Sequence, residues 1–180
     1  MSRQRTLPHV DPAAPQGPLR RAALRLLSTN AMVALEGSLI FQLTAWRFVP
    51  ILMRLTGGRL AALLPFPTGV IETRDARNGR QHRRVVVYFH DRDRVTVIPS
   101  KAGLGDDPFW YRNALADPAV LFESQPFRAE PVADQAAQAR LWELADRFYP
   151  PCVPYRRRAA RVGRTIPILQ LVPSPVEDRR

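Results

Sequence analysis

The chain has a single cysteine, Cys152, so it can form no internal disulfide and no thiolate metal cluster. Its three histidines, His9, His82 and His90, lack any ligand spacing, which argues against a zinc site. Lysine is nearly absent: Lys101 stands alone, and every other member of the 27 Lys and Arg residues is arginine. Long apolar runs are missing as well. The richest segment, residues 31–56, is broken by Glu36, Arg47 and Arg54, so no uncharged stretch in it approaches the roughly 20 residues of a membrane span. The first thirty residues hold no apolar core behind a charged start, so no secretory signal is expected and a cytoplasmic location follows. Neither a P-loop nor a G-x-G-x-x-G fingerprint occurs, which disfavours a parallel nucleotide-binding sheet.

What the chain does have is apolar content and positive charge. Its 180 residues are 46% hydrophobic, enough for one domain with an extension, and the net charge is +11. Such a charge speaks to partners: nucleic acid, a membrane surface, or a phosphorylated or carboxylated small molecule. The arginines scatter over the lead, a hairpin and a C-terminal run with no recognised reading module, so nucleic acid is the weakest of the three.

Four regions can be marked off. Residues 1–30 read as a basic, Pro-rich lead, unstructured to residue 19, with a short helix from Arg20 to Leu27. Residues 31–58 form an apolar helical extension, kinked at Pro50 and ended by Gly57-Gly58. It has two readings: a helix packed on the barrel or on a second subunit, and an interfacial helix with Trp46 and Arg47 near lipid headgroups. The second would place residues 20–56 on a membrane, at its inner face. Residues 59–173 carry the strands, and 174–180 are a tail.

Within 59–173 the pattern is antiparallel. Val70-Ile71 sits in one strand, and Arg84 to His90 with Arg94 to Ile98 flank the polar turn Asp91-Arg92-Asp93, the clearest hairpin signal. A Gly-containing loop (Pro99 to Pro108) leads to a helical stretch from Phe109 to Leu115. Strands follow at Ala119 to Glu123 and Pro126 to Glu130. A helix from Asp134 to Arg147 sets Ala137, Leu141, Leu144 and Phe148 on one face. A Pro-rich segment at 150–154 and an arginine run then precede a last strand, Thr165 to Val172. Several antiparallel strands with two inserted helices predict a mainly β, α+β fold: a small closed or partly closed barrel.

Two constellations could carry chemistry. The turn Arg74 to Arg84 packs five arginines into eleven residues, and these must stay in water or meet an anion. The loop Ser100-Lys101-Ala102-Gly103, followed by Phe109-Trp110-Tyr111, joins small residues, an ammonium and aromatic rings.

Ser100-Lys101-Ala102-Gly103, Pro108-Phe109-Trp110-Tyr111-Arg112-Asn113 and Asp117-Pro118 together resemble the signature of the deazaflavin-dependent nitroreductase family. Leu55-Thr56-Gly57-Gly58-Arg59-Leu60, Tyr149-Pro150 before Tyr155, and Arg164-Thr165-Ile166-Pro167-Ile168 fall in register with it, over residues 50–173. The resemblance implies a split β-barrel of the FMN-binding type. It implies the deazaflavin coenzyme F420 as cofactor and hydride transfer to quinones, nitroaromatics or related acceptors, with a homodimer as one form of assembly. It places the coenzyme's anionic tail on Arg77, Asn78, Gly79 and Arg83. The ring system would lie against Arg84, Val85, Val86, Val87 and Tyr88, against Ile98, Pro99, Ser100 and Lys101, and against Phe109, Trp110, Tyr111, Arg112 and Asn113. Tyr149, Cys152 and Tyr155 would close over the acceptor, with Ser100, Tyr149 and Tyr155 as candidate proton donors. The turn departs from the family's pattern, with Asn78 in place of a lysine. The alternative it leaves open is a split-barrel binding protein that takes FMN, haem or no cofactor and associates with a membrane.

Overall fold

A computed structural model describes residues 7–29, 66–75 and 77–174. The 31–58 extension and its two readings lie outside the described residues. The elements in chain order are α1 (Pro18–Leu27), β1 (Thr68–Arg74), β2 (Gln81–Asp91), β3 (Arg94–Val97), a 3-10 turn (Lys101–Gly103), α2 (Phe109–Ala116), β4 (Ala119–Phe122), β5 (Gln125–Pro131), α3 (Gln135–Phe148), α4 (Cys152–Arg161) and β6 (Leu169–Pro173).

The six strands close into an antiparallel barrel in the order β1-β2-β3-β6-β5-β4, sealed where Ile71 and Glu72 pair with Phe122 and Leu121. The long strand β2 is the hinge of the design. Its first half pairs with β1, from Gln81 opposite Arg74 to Val87 opposite Thr68. Its second half pairs with β3, from Tyr88 opposite Val97 to Asp91 opposite Arg94. Alternation then sorts its side chains: Val86 and Tyr88 pack with the barrel interior beside Ile71, Val95, Val97 and Phe122, while Val87 and Phe89 face outward under α3. On that outer face Phe89 meets Leu141, Ala145, Phe148 and Ile168, a second core between barrel and helix. The Asp134 side chain caps α3 by accepting the Ala137 amide at 2.7 Å.

Three expectations change. The Pro-rich stretch and arginine run are a helix, α4. Pro154 falls in its first turn, where a missing N–H leaves no bond unmade. Cys152, Tyr155 and Ala159, spaced as one helical face, are the buried residues. The last strand begins at Leu169 rather than Thr165. Finally, part of the lead is seated on the barrel. Leu7 and Val10 pack against the interior cluster, and the Tyr88 hydroxyl donates to the Pro8 carbonyl at 3.2 Å. His90 and Val10 exchange two bonds: the His90 amide donates to the Val10 carbonyl at 2.8 Å, and the Val10 amide to His90 Nδ1 at 3.0 Å. Residues 7–10 thus extend the β2 edge beyond the end of β1. Further on, α1 buries Leu24 and lays Arg20 over the Phe148 ring at 4.9 Å.

Candidate functional site

A cleft of about 270 Å³ opens between the outer face of β2, the loop after β3, the head of α2 and the α3–α4 junction. Val85, Val87 and Phe89 line it from the strand, and Ile98 with Pro99 from the loop. Ser100, Lys101 and Ala102 form one side; Pro108, Phe109 and Trp110 form another. Phe148, Tyr149, Cys152 and Tyr155 enclose the far end. The walls are thus apolar or aromatic, and Arg84 and Lys101 are the cations among the lining residues. Val85 and Phe109 are each 40% exposed, an uncovered apolar pair beside the opening.

The loop of Ser100–Gly103 has an unusual backbone. Lys101, Ala102 and Gly103 lie at φ 48°, 51° and 73°, three successive left-handed residues after a right-handed Ser100. Each non-glycine in this region costs of order 1–3 kcal/mol, so the surroundings must hold it. A switch from right- to left-handed backbone turns successive amides toward one side, a geometry suited to an anion. Gly103 is required twice over: besides its φ, a β-carbon there would stand 2.4 Å from the Tyr155 carbonyl oxygen.

The holder is Arg164. Its guanidinium donates to the carbonyls of Pro99 (2.7 Å), Ser100 (2.9 Å) and Leu104 (2.7 Å), and to the Asp107 carboxylate from Nε (3.0 Å) and Nη2 (2.8 Å). Its side chain is 7% exposed. The end of α4 puts it there: Gly163 at φ 73° donates to the Ala160 carbonyl, and the Arg164 amide returns to the Ala159 carbonyl at 3.0 Å, a Schellman stop that reverses the chain.

Lys101 is not a bare charge. Its Nζ lies 2.6 Å from Asp106 Oδ1, and that contact holds the Asp106 carboxyl below the usual carboxylate range. Because Asp106 is largely exposed, the pair is weak and exchangeable. At the cleft's far end the hydroxyls of Tyr149 and Tyr155 approach to 3.5 Å. Burial pushes the Cys152 thiol up to about 12, so it serves there as an apolar wall.

The structure brings together Arg84, Val85, Val86, Val87, Ile98, Pro99, Ser100, Lys101, Phe109, Trp110, Tyr149, Cys152 and Tyr155. The other expected site residues stand apart from the cleft. Tyr88 and Tyr111 point into the barrel, where burial raises both phenols. Asn113 is buried, with Nδ2 3.4 Å from Thr73 Oγ1. The two-residue period of β2 turns Tyr88 inward, and the 3.6-residue period of α2 does the same for Tyr111 and Asn113. Arg112 leans over the Phe109 ring at 5.5 Å. Arg83 pairs across the hairpin with Glu72 at 3.0 Å. Arg77, Asn78 and Gly79 form the exposed hairpin tip, tied by Asp75 Oδ1 to the Arg77 amide (2.8 Å) and by Asn78 Oδ1 to the Arg80 amide (2.9 Å). Arg84 stands three residues, about 10 Å, along β2 from Gln81, where the strand leaves that tip. Sequence reasoning passed over Phe89 and Phe148, which read as plain core, and named Arg164 only as part of the 164–168 motif, with no role at the site.

Comparison with known proteins bears on this arrangement. The family model described as F420H(2)-dependent quinone reductase matches residues 46–173. An F420H(2)-dependent quinone reductase of Mycobacterium tuberculosis is 28% identical over 123 residues, covering 64% of this chain and 81% of its own. A second M. tuberculosis protein carrying the same family description is 34% identical over 82 residues, covering 43% of this chain and 68% of its own. Among solved structures, an F420-H2 dependent reductase superposes with TM-score 0.51 at 23% identity, covering 58% of this chain and 93% of that one. The barrel is therefore the split barrel expected from the sequence.

Proposed function

The chain belongs to the F420H(2)-dependent quinone reductase family, and on that premise we propose that it reduces quinones with reduced coenzyme F420 bound in the cleft above β2. The carrying observation is the coincidence of a cleft with apolar and aromatic walls and a left-handed, lysine-bearing turn at its side. The residues present fit such a group. Val85, Val87, Phe89 and Ile98 offer the ring system apolar walls, and the amides of Lys101 and Ala102, with the Lys101 and Arg84 side chains, offer the adjoining phosphodiester donors and charge, the Gly103 amide being held by the Ser100 carbonyl. The exposed Arg77 and Arg80 at the hairpin tip suit a longer anionic tail.

The bound coenzyme supplies a hydride, and the protein's share is alignment, charge complementarity and water exclusion. Tyr149 and Tyr155 close the apolar end, where a quinone ring would stack. Their paired hydroxyls can hand a proton to the oxygen of the reduced quinone and recover it from solvent. Ser100, on the turn that adjoins them, is the second candidate for that role. Nitroaromatics belong to the same proposal, because an apolar slot selects for flat rings more than for the redox group they carry. The exposed Leu19 and Leu26 of α1, flanked by Arg21 and Arg25, support placing the enzyme at the inner face of a membrane, where apolar quinones reside. Among the described residues no helix is long and apolar enough to cross one.

The testing experiment is a parallel titration of the purified protein with coenzyme F420, FMN and haem at one ionic strength. Saturable quenching by the deazaflavin alone supports the proposal. Preference for FMN or haem, or no binding, overturns it.

A further inference from the structure

We propose that Arg164, which does not touch the cleft, is the positioning residue for coenzyme binding: it sets the shape and the charge of the turn that receives the anionic group. The inference rests on the reading of the cleft given above and assigns one part of its binding energy to a residue behind its wall.

The 101–103 turn is strained. Three successive left-handed residues, two of them not glycine, are costly and persist only when over-determined. Among the described residues the Arg164 guanidinium spans that turn at both ends, taking Pro99 and Ser100 before it and Leu104 and Asp107 after it. A planar fork with five donors matches three carbonyls and a carboxylate. A lysine has the charge without the fork. The Gly163 reversal fixes the direction from which the side chain enters, so neither partner is free to drift.

The electrostatic argument points the same way. The turn pairs Lys101 with Asp106 and Arg164 with Asp107. Removing Arg164 takes away one of those positive charges and leaves the Asp107 carboxylate beside a site meant for an anion. Asp107 would then lose its two donors, at a group whose side chain is 35% exposed. Shape and charge would fail together, although Arg164 never meets the ligand.

The test uses the full chain and reads coenzyme binding directly, by deazaflavin fluorescence, in wild type, Arg164→Ala and Arg164→Lys. Saturable binding by wild type is the precondition; its absence overturns the functional reading and not this assignment. With wild type binding, Arg164→Ala is expected to weaken affinity by tenfold or more, and Arg164→Lys to fall between. The decisive arm adds millimolar guanidinium chloride to Arg164→Ala, with equal sodium chloride as control. Refilling the vacated space with a free guanidinium should recover affinity in the variant and not change wild type. Unchanged affinity in Arg164→Ala, or a loss that tracks the melting temperature and ignores guanidinium, would overturn the proposal. Should the alanine variant fail to fold, Arg164→Lys carries the test alone: affinity equal to wild type contradicts it, and weakened affinity at an unaltered melting temperature sustains it.

Discussion

Gly103 passes so close to Tyr155 that a single added β-carbon would sit 2.4 Å from the Tyr155 carbonyl oxygen and 3.0 Å from Arg158 Cβ. The turn that carries Lys101 and the helix that carries Tyr155 are thereby locked together beside the cleft. Gly103→Ala adds a backbone clash to a residue at φ 73°. It should cost about 2–5 kcal/mol of stability, read by chemical denaturation, and shift coenzyme affinity as well. By contrast, Gly69→Ala meets the Phe122 ring inside the barrel, so it should lower stability and leave the affinity of the folded fraction unchanged.

Lys101 and Asp106 make a second prediction. The ammonium is shared between an exposed carboxylate and the cleft. Lys101→Ala should weaken coenzyme binding about tenfold, the value of one charge-assisted contact. Asp106→Asn removes the competitor, so it should leave binding unchanged or tighten it. Fluorescence titration of both variants checks the pair, and weaker binding in Asp106→Asn would contradict this role for Lys101.

The His90 ring makes a third. Its Nδ1 accepts the Val10 amide, so the ring is neutral with its proton on Nε2. Burial chiefly, then the neighbouring His9, lowers its pKa. The unfolded chain therefore takes up a proton at about pH 6.5, where native His90 does not. Stability should fall as pH drops below that value, until the native ring is protonated too. The melting temperature should decline from neutral pH to mild acid, and less steeply in His90→Gln.

Cys152 makes a fourth. Its thiol is 4% exposed and pushed up to about 12 by burial. Iodoacetamide at mildly alkaline pH should leave native protein unlabelled and label it rapidly once denatured. Fast native labelling would mean that the α3–α4 junction opens.

Much of the fold could be read from sequence because it is local. The hairpin around Asp91-Arg92-Asp93, the Asp134 cap and the apolar face of α3 each announce themselves within about ten residues. Helix α4 does not. Three consecutive arginines and three prolines near its start hide a Cys152, Tyr155, Ala159 face that only the full helical period reveals. The site divides in the same way. A linear motif names Ser100, Lys101 and Trp110, but it cannot tell which neighbours turn inward, so Tyr88, Tyr111 and Asn113 read as ligand residues although strand and helix periods bury them away from the cleft. Arg164 stands in the Arg164-Thr165-Ile166-Pro167-Ile168 motif, but the carbonyls it holds lie some sixty residues away, so the motif gave no hint of its role.

The most direct test of the account is anaerobic mixing of the protein with reduced coenzyme F420 and a menadione-like quinone, following the return of the oxidised coenzyme's absorbance. The account predicts protein-dependent oxidation that saturates in both reactants and weakens in Tyr155→Phe and Lys101→Ala. Oxidation at the protein-free rate, with the coenzyme fully bound, would contradict it.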